Sequence, residues 1–525
     1  MKRFALSMYA ASIAVLLFAN IALAAPDEEL LGKAQGYPIG TPKTWFYDES
    51  VRVGSFSNVD KILPFHTLEK SDMPAGLKRV AATPDIRYTF QGQSYSVDDF
   101  LQHQRITGLL IIKDGEIQLE RYQYDRKPTD RFVSHSMAKS ITSLAVGFAL
   151  EEGKINSLDD KVSKYVPELA GCAYGETSLR NLLRMSSGIK FVEDYSGHDD
   201  LTKFIKIWFT DSLAKAICAF NERDTKEGDQ FHYATSQTYI LGLVIKHATG
   251  FSLSEYVDAK IWKPMGAEAD AKWTIDLQGN EMAGGNFNAI LRDYGRLGML
   301  LANDGMLNGK QILPKNYLLE ATDWRKQPDA FAPGHATSSF GYGYQFWILP
   351  SDTRKFALLG VYGQTIYVDP ESRLVMVQTA VAKNASVRKE SLGAESYALW
   401  NGVERHYQNA TDVNLPPEIK QVFDQMSAAW VKKDLDGVMA QYHPQYMSST
   451  AKNLDKLRAI YSEKFLPYTK RFEWKISSLR IEGDLAYING SIDTDVGTFP
   501  LPNDMQLIKD GNRWYIYGNQ KAPKD

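Results

Sequence analysis

The chain has 525 residues, too many for one ordinary domain, and 44% of them are hydrophobic, which is enough to form large buried cores. The formal net charge of −3 is small for this length and argues against a nucleic-acid partner. The nine histidines are scattered without metal-ligand spacing, so we expect neither a metal centre nor a cofactor.

The first residues have the pattern of a secretory signal peptide. Met1-Lys2-Arg3 is basic, residues 13–18 are apolar, and Ala22-Leu23-Ala24 forms a small-residue cleavage site. We therefore predict a signal peptide over residues 1–24, cleaved after about Ala24, and export to the periplasm or the cell exterior with no stable membrane span afterwards. A retained N-terminal anchor is the alternative.

Cys172 and Cys218 are the two cysteines of the chain. An exported protein can join two such residues in a disulfide. Two free buried thiols are an equally good interpretation, because cysteine often serves as a small core residue. The sequence leaves both alternatives open.

The predicted elements describe a sheet built from both ends of a large domain. Residues 25–95 lack clear periodicity and are interpreted as an irregular N-terminal wrap. Residues 109–122 predict a β-hairpin with Asp114-Gly115 as its turn. A buried helix begins at Ser136, and residues 155–300 are interpreted as mostly helical. Later runs predict adjacent antiparallel strands at residues 342–349, 356–361, 365–368 and 374–380, followed by a closing helix at 395–406.

This order of strands, helices and strands predicts an α+β fold, with an antiparallel sheet flanked by helices and a helical region inserted between its strands. Residues 25–408 are assigned to this domain. The polar segment 409–417 contains Pro416-Pro417 and is the predicted linker. Residues 418–525 then predict a small separate α+β domain, with two helical segments followed by alternating strands.

Ser136 and Lys139 are the strongest candidates for chemistry. Ser-x-x-Lys places a hydroxyl and an amine on one helix face, but the pattern occurs five times and is weak by itself. Ser136 alone opens a long apolar helical run, where the start of a helix favours developing negative charge. A lysine at the start of a buried helix is consistent with managing the proton of a nucleophilic serine. The other matches begin at Ser187, Ser212, Ser386 and Ser449.

Two further segments fit the same chemistry. Tyr233 precedes an apolar helical run, and a tyrosine there can relay a proton if a nearby cation lowers its pKa from about 10. Gly360 lies at a predicted strand edge, where the missing side chain lets backbone N–H groups approach a bound carbonyl.

With these motifs the chain resembles the serine β-lactamase and penicillin-binding superfamily. The most similar branches are class C-like hydrolases, family VIII esterases and 6-aminohexanoate-dimer hydrolases. The resemblance covers residues 95–408. It rests on Ser136-x-x-Lys139, on Tyr233-Ala234-Thr235 in place of Tyr-x-Asn, and on Leu358-Leu359-Gly360 in place of Lys-Thr-Gly.

The resemblance implies a role for each matching residue. Ser136 would form an acyl-enzyme, Lys139 would take its proton, and Tyr233 would pass a proton to the leaving group. The backbone N–H groups of Ser136 and Val361 would form the oxyanion hole. The predicted substrate-binding residues are Tyr195, Thr235, Gly360 and Tyr362.

Two departures affect the expected substrate. Leu358 stands where the family has a lysine that receives a carboxylate, and Thr235 replaces an asparagine that contacts a substrate amide. The expected activity is therefore that of an exported serine hydrolase on a small-molecule or peptide-like ester or amide, esterase-like more than β-lactamase-like. The alternatives are a β-lactamase or D-Ala-D-Ala carboxypeptidase, and a non-catalytic binding protein with the same fold. The oligomeric state is left open.

The C-terminal domain resembles the NTF2-like (SnoaL-like) α+β cone. The resemblance rests on the helix around Trp430, on Tyr442-His443-Pro444 and on Asp510-Gly511-Asn512-Arg513-Trp514. The aromatic residues Trp430, Tyr442 and Trp514 are expected in its core, not at a ligand.

Overall fold

The computed structural model of the chain describes residues 25–410, 415–448, 451–495, 497–501 and 505–520. The predicted signal peptide lies outside these residues, as does part of the predicted linker. Contacts between Cα atoms divide the chain into two units, one of residues 1–85 and 89–399 and the other of residues 86–88 and 400–525. None of the helices formed by the described residues is long and apolar enough to cross a membrane.

Residues 25–399, the described part of the chain before residue 400, form sixteen strands. They are β1 (Phe65–Leu68), β2 (Lys78–Arg79), β3 (Arg87–Phe90), β4 (Gln93–Ser96), β5 (Ile106–Lys113), β6 (Glu116–Tyr122), β7 (Arg131–Val133), β8 (Ala271–Thr274), β9 (Phe287–Ile290), β10 (Met306–Leu307), β11 (Lys310–Gln311), β12 (Gly341–Tyr342), β13 (Trp347–Ile348), β14 (Phe356–Gly360), β15 (Gln364–Asp369) and β16 (Leu374–Ala380).

The helices that begin before residue 400 surround these strands. They are α1 (Glu49–Phe56), α2 (Val97–His103), α3 (Ala138–Glu151), α4 (Leu179–Leu183), α5 (Asp200–Thr210), α6 (Leu213–Cys218), α7 (Thr235–Thr249), α8 (Leu253–Val257), α9 (Leu291–Ala302), α10 (Lys315–Thr322) and α11 (Leu392–Ala410).

The main sheet has eight strands in the order β12-β13-β14-β15-β16-β5-β6-β2. It joins strands from both ends of the domain, because β16 pairs antiparallel with β5. The predicted hairpin is confirmed, with Asp114 and Gly115 at positive φ in its turn. The predicted late strands are confirmed as β12 to β16, except that residues 342–349 form two short strands with a turn between them.

A second sheet was missed by the sequence interpretation. Its four strands run in the order β1-β8-β9-β7, so strands β8 and β9 interrupt the region expected to be mostly helical. All four residues of β9 are buried, and a segment of four residues that includes the polar Asn288 shows no period that would identify it. The N-terminal wrap is likewise more regular than expected, since it contains helix α1 and strand β1.

Helix α3 is central to the core of the large unit. Twelve consecutive residues, 138–149, are buried, as expected for a helix that is apolar on most of its circumference. Gly153 has a φ of 67° just beyond the end of the helix, the conformation that favours glycine as a stop. Cys172 and Cys218 form a disulfide, which resolves the choice that the sequence left open.

The C-terminal residues form helices α12 (Pro417–Val431), α13 (Leu435–Met439) and α14 (Leu454–Ile460), with strands β17 (Phe472–Glu482), β18 (Leu485–Thr494), β19 (Gly497–Pro500), β20 (Met505–Asp510) and β21 (Arg513–Gly518). The strands make one antiparallel sheet in the order β17-β18-β20-β21, with β19 paired to β18. Trp430, Tyr442 and Trp514 are buried in the core of this unit, as predicted. The α+β class is confirmed for both parts of the chain.

Candidate active site

Ser136 lies in a short 3₁₀ turn, His135–Met137, directly before helix α3. Strand β7 leads into this Ser136 turn, and the neighbouring strand β9 fixes it from the side. The Ser134 N–H donates to the Phe287 carbonyl over 2.7 Å, and the Phe287 N–H donates to the Ser134 hydroxyl over 3.1 Å. The second sheet therefore holds the segment that carries the candidate nucleophile.

The Lys139 amine is directed at the Ser136 hydroxyl. Lys139 Nζ donates to Ser136 Oγ over 2.9 Å and to the Gly284 carbonyl over 2.6 Å. The side chain is only 2% exposed, and this burial lowers the pKa of Lys139 to about 8, although the Glu193 carboxylate acts to raise it. A substantial fraction of the amine is therefore neutral near physiological pH and can accept a proton from Ser136.

Tyr233 lies just before helix α7 and beside the same lysine. Lys139 Nζ is 5.2 Å from the centroid of the Tyr233 ring. The Trp347 indole is stacked on the same ring, with 5.9 Å between the two ring centroids. Burial and the Glu193 carboxylate raise the pKa of Tyr233 far above 10. Hydrogen bonds to Ser136 and Thr235 lower this pKa, but by less. The expectation of a cation-lowered pKa is not met here. The phenol therefore stays protonated at physiological pH and can act as a proton donor, because desolvation disfavours its charged form.

Among the described residues, the other Ser-x-x-Lys matches do not form such a pair. Ser187 lies in a buried turn, while its partner Lys190 is exposed and forms a salt bridge with Glu222. Ser212 caps helix α6, and Lys215 donates to Asp211. Ser386 precedes a 3₁₀ turn, and Ser449 lies outside the described residues.

The end of strand β14 packs closely on the Ser136 turn. A Cβ atom on Gly360 would lie 2.3 Å from the Ser134 carbonyl oxygen and 3.2 Å from His135 Cβ, so only glycine allows this approach. Val361 follows directly in the turn that joins β14 to β15. Its backbone N–H therefore belongs to the segment beside Ser136, where the second oxyanion-hole donor is predicted.

Gly360→Ala is expected to lower activity strongly without changing the catalytic side chains. The added methyl must push the strand end and Val361 away from the Ser136 turn, because backbone oxygen blocks its place. Loss of one oxyanion donor typically costs about 10²–10³ in kcat. Steady-state kinetics together with the melting temperature check this, with Gly76→Ala as a control at an open position. Unchanged kcat in a folded Gly360→Ala protein would contradict the placement of Val361.

Two predicted substrate-binding residues meet at Glu193. Tyr195 donates its hydroxyl to Glu193 Oε1 over 2.7 Å, and Thr235 donates its hydroxyl to the same oxygen over 2.6 Å. The Thr235 N–H donates to Glu193 Oε2 over 2.7 Å. Burial and the carboxylate raise the pKa of Tyr195 well above its usual value, so its hydroxyl is a donor. Glu193 was missed as a functional residue, and its position two residues before Tyr195 was the available signal.

Tyr362 differs from the prediction that it lines the substrate cleft. Its side chain is 3% exposed, and the Arg52 guanidinium lies 4.3 Å above its ring. The ring packs in an aromatic cluster formed by Phe46, Phe56 and His135. Tyr362 therefore packs against His135 of the Ser136 turn and does not face an open cleft.

Leu358 supplies no charge where the family has lysine. It is 1% exposed and belongs to the main hydrophobic core. His135 is also buried, and burial with the neighbouring Arg52 lowers the pKa of its imidazole to about 3. The ring is neutral at physiological pH, so it adds no cation beside Ser136.

Comparison with known proteins shows the family to which the chain belongs. The β-lactamase family model matches residues 96–391, which is more than half of the chain. The 6-aminohexanoate-dimer hydrolase of Paenarthrobacter ureafaciens is 25% identical over 339 residues, covering 62% of this chain and 84% of the relative. Protein flp of Staphylococcus aureus (strain COL) is 31% identical over 182 residues, covering 32% of this chain and 35% of its own length.

A solved structure shows the same fold. A Bacillus anthracis protein proposed as a 6-aminohexanoate-dimer hydrolase superposes with a TM-score of 0.63 at 22% identity, covering 70% of this chain and 97% of its own. The predicted superfamily and fold class are thereby confirmed. The chain belongs to the β-lactamase family of serine hydrolases, and 6-aminohexanoate-dimer hydrolases are among its relatives.

Proposed function

We propose that this protein is an exported serine hydrolase that forms an acyl-enzyme on Ser136 and acts on carboxylic esters or amides, with esters preferred over β-lactams. The observation that carries the proposal is the buried Lys139 amine, 2.9 Å from the Ser136 hydroxyl and with its pKa lowered to about 8. An amine tuned in this way is the base that a serine nucleophile needs.

The reaction follows from the positions of these groups. Lys139 accepts the proton as Ser136 Oγ bonds to the carbonyl carbon, and the N–H groups of Ser136 and Val361 stabilise the oxyanion. Tyr233 donates its proton to the leaving oxygen or nitrogen as that bond breaks, and the protonated Lys139 restores the proton of Tyr233. Neutral Lys139 then takes a proton from water as that water attacks the acyl-enzyme, and it returns the proton to Ser136 Oγ as the acid is released.

The surroundings of the pair support an uncharged acyl group. The wall beside Tyr233 is aromatic, with Phe231, Tyr342 and Trp347 in mutual contact. Leu358 is apolar and buried, and Thr235 is already bound to Glu193. These features favour an ester with a small apolar acyl chain over a substrate that needs a carboxylate contact.

Short-chain aryl esters are expected to be hydrolysed better than cephalosporins. A charge-assisted hydrogen bond to a substrate carboxylate contributes roughly 1.5–3 kcal/mol, or about one to two decades in affinity, and Leu358 provides none. The measurement is kcat/KM for nitrophenyl butyrate against nitrocefin. A clear preference for nitrocefin would replace the esterase proposal with β-lactamase. Leu358→Lys is the matched variant and is expected to shift the ratio towards nitrocefin if the protein tolerates the charge.

Two other functions remain candidates for the same fold. A D-Ala-D-Ala carboxypeptidase has to recognise a terminal carboxylate, for which position 358 offers no cation. A non-catalytic binding protein has no need of a buried lysine beside Ser136. Labelling with a fluorophosphonate and with a labelled penicillin, read by mass spectrometry, distinguishes these two candidates from the esterase.

Export is supported by the N-terminal residues and by the disulfide. Residues 1–24 have the signal-peptide pattern, and Cys172 pairs with Cys218, as is common in oxidising compartments. We assign residues 25–408 to the hydrolase domain, 409–417 to a linker and 418–525 to an NTF2-like accessory domain. The five-stranded antiparallel sheet with its preceding helices supports the last assignment.

A further inference from the structure

Helix α7 begins without a cap of its own. Its N-cap residue, Ala234, has no side chain able to accept a hydrogen bond from the first turn. Glu193 takes this role from a different loop, accepting the Thr235 N–H over 2.7 Å and the Thr235 hydroxyl over 2.6 Å. Tyr233 comes directly before this cap, so the position of its phenol depends on a residue 40 positions earlier in the chain.

The loop that carries Glu193 is itself fixed. Asp199 caps helix α5 and accepts the N–H groups of Asp194 and Tyr195 over 3.0 and 2.8 Å. Tyr195 has a φ of 60°, an uncommon conformation for a bulky residue. Its hydroxyl returns to Glu193 over 2.7 Å. The loop therefore presents one carboxylate that binds both Tyr195 and the start of α7.

The Glu193 charge also acts on the candidate base. Lys139 is faced by the Ser136 hydroxyl, the Gly284 carbonyl, the Tyr233 ring and the neutral imidazole of His135. Burial lowers the pKa of Lys139, and the Glu193 carboxylate is the charge that raises it again. Removing that charge at constant volume should therefore lower the pKa of Lys139 further.

We infer that Glu193 is a positioning residue of the proposed serine hydrolase: it caps α7 from the neighbouring loop and binds Tyr195 to the start of the helix that Tyr233 directly precedes. This inference rests on the proposed function. It adds a residue that does not touch the reacting atoms and acts through Lys139, Thr235 and Tyr195.

Glu193→Gln tests the inference through a pH profile. The rate at which a fluorophosphonate labels Ser136 is measured against pH, since this readout does not depend on the natural substrate. In the wild-type protein the rate should rise with pH around 8, as Lys139 loses its proton. In Glu193→Gln the midpoint should move to lower pH, and ester turnover should fall about 10-fold to 100-fold as the charged cap is lost.

Glu227→Gln is the matched control. Glu227 likewise binds the start of a helix, α4, by accepting the N–H and hydroxyl of its N-cap residue Ser178 and the side-chain amide of Asn181, each over 2.8 Å. It does not act on the pKa of Lys139. Glu227→Gln should therefore lower the melting temperature while leaving the pH midpoint of labelling in place.

The outcomes separate the inference from the function on which it depends. A labelled Glu193→Gln protein with an unmoved midpoint overturns the inference alone. Failure to label Ser136 in the wild type overturns the proposed function and the inference with it. If Glu193→Gln does not fold, Thr235→Val provides the test. This variant keeps the Glu193 carboxylate and its contact with the backbone N–H of residue 235, and it loses only the hydroxyl contact. Slower ester turnover with an unmoved pH midpoint of labelling would then support the inference. A wild-type rate in Thr235→Val would overturn it.

Discussion

Ser136→Ala is expected to abolish covalent labelling by a fluorophosphonate and to remove all ester turnover. Ser136 is the serine whose hydroxyl accepts a hydrogen bond from a buried amine, and no acyl-enzyme can form without its oxygen. The fold should be retained, because Ser136 is half-buried between the buried residues His135 and Met137, and alanine removes only its hydroxyl. Intact-mass spectrometry of treated protein gives the result directly.

Ser187→Ala and Ser212→Ala serve as controls for Ser136→Ala. Both serines open a Ser-x-x-Lys match, but their lysines, Lys190 and Lys215, form salt bridges with exposed acidic residues. Both variants should be labelled at the wild-type rate, with a small loss of stability in Ser212→Ala from the missing helix cap. Labelling of Ser136→Ala at another serine would show that the nucleophile has been assigned wrongly.

Lys139→Met is expected to reduce kcat/KM by about 10²–10⁴, the usual contribution of a general base. Methionine keeps most of the volume and removes the amine, so the helix should remain packed. In the wild type, kcat/KM should rise as pH passes about 8, because the neutral amine is the active form. This rise should disappear from the residual activity of Lys139→Met. The measurement is a pH-rate profile on a neutral ester.

Lys215→Met provides the comparison for Lys139→Met. It removes the lysine of another Ser-x-x-Lys match whose side chain is 69% exposed, so its kcat and pH profile should equal those of the wild type. A wild-type pH profile in Lys139→Met, at an unchanged melting temperature, would show that another group takes the proton from Ser136.

The features predicted correctly from the sequence depend on residues that are close together in the chain. The β5–β6 hairpin follows from Asp114-Gly115 between alternating residues, and helix α3 from its apolar run after Ser136. The Ser136–Lys139 proximity follows because residues three apart share a helix face. Leu358 was identified from the sequence as an uncharged replacement for the family's lysine, and the structure adds that its side chain is buried in the main hydrophobic core.

The features that escaped prediction depend on distant contacts. Glu193 meets Thr235 only because two loops are brought together, and no spacing in the chain shows it. The pKa of Tyr233 rises because the site is desolvated, a property of packing and not of composition. Tyr362 is adjacent to the predicted oxyanion residue, yet the N-terminal segment covers it with Phe46 and Arg52. Strand β9 has only four residues, including the buried polar Asn288, which is too short a segment for its period to be recognised.

The pairing of β5 with β16 also separates the formation of the Ser136–Lys139 segment from the completion of the sheet around it. Ser136 and Lys139 leave the ribosome early, whereas Gly360, Val361 and the last strands of the main sheet emerge much later. Pairing between such distant segments is slow, because a long loop must close before the contact forms. The nascent chain thus carries a serine without the strand that completes its surroundings. The surroundings of Ser136 are therefore completed by a late, long-range pairing and not by the local segment that carries Ser136 and Lys139.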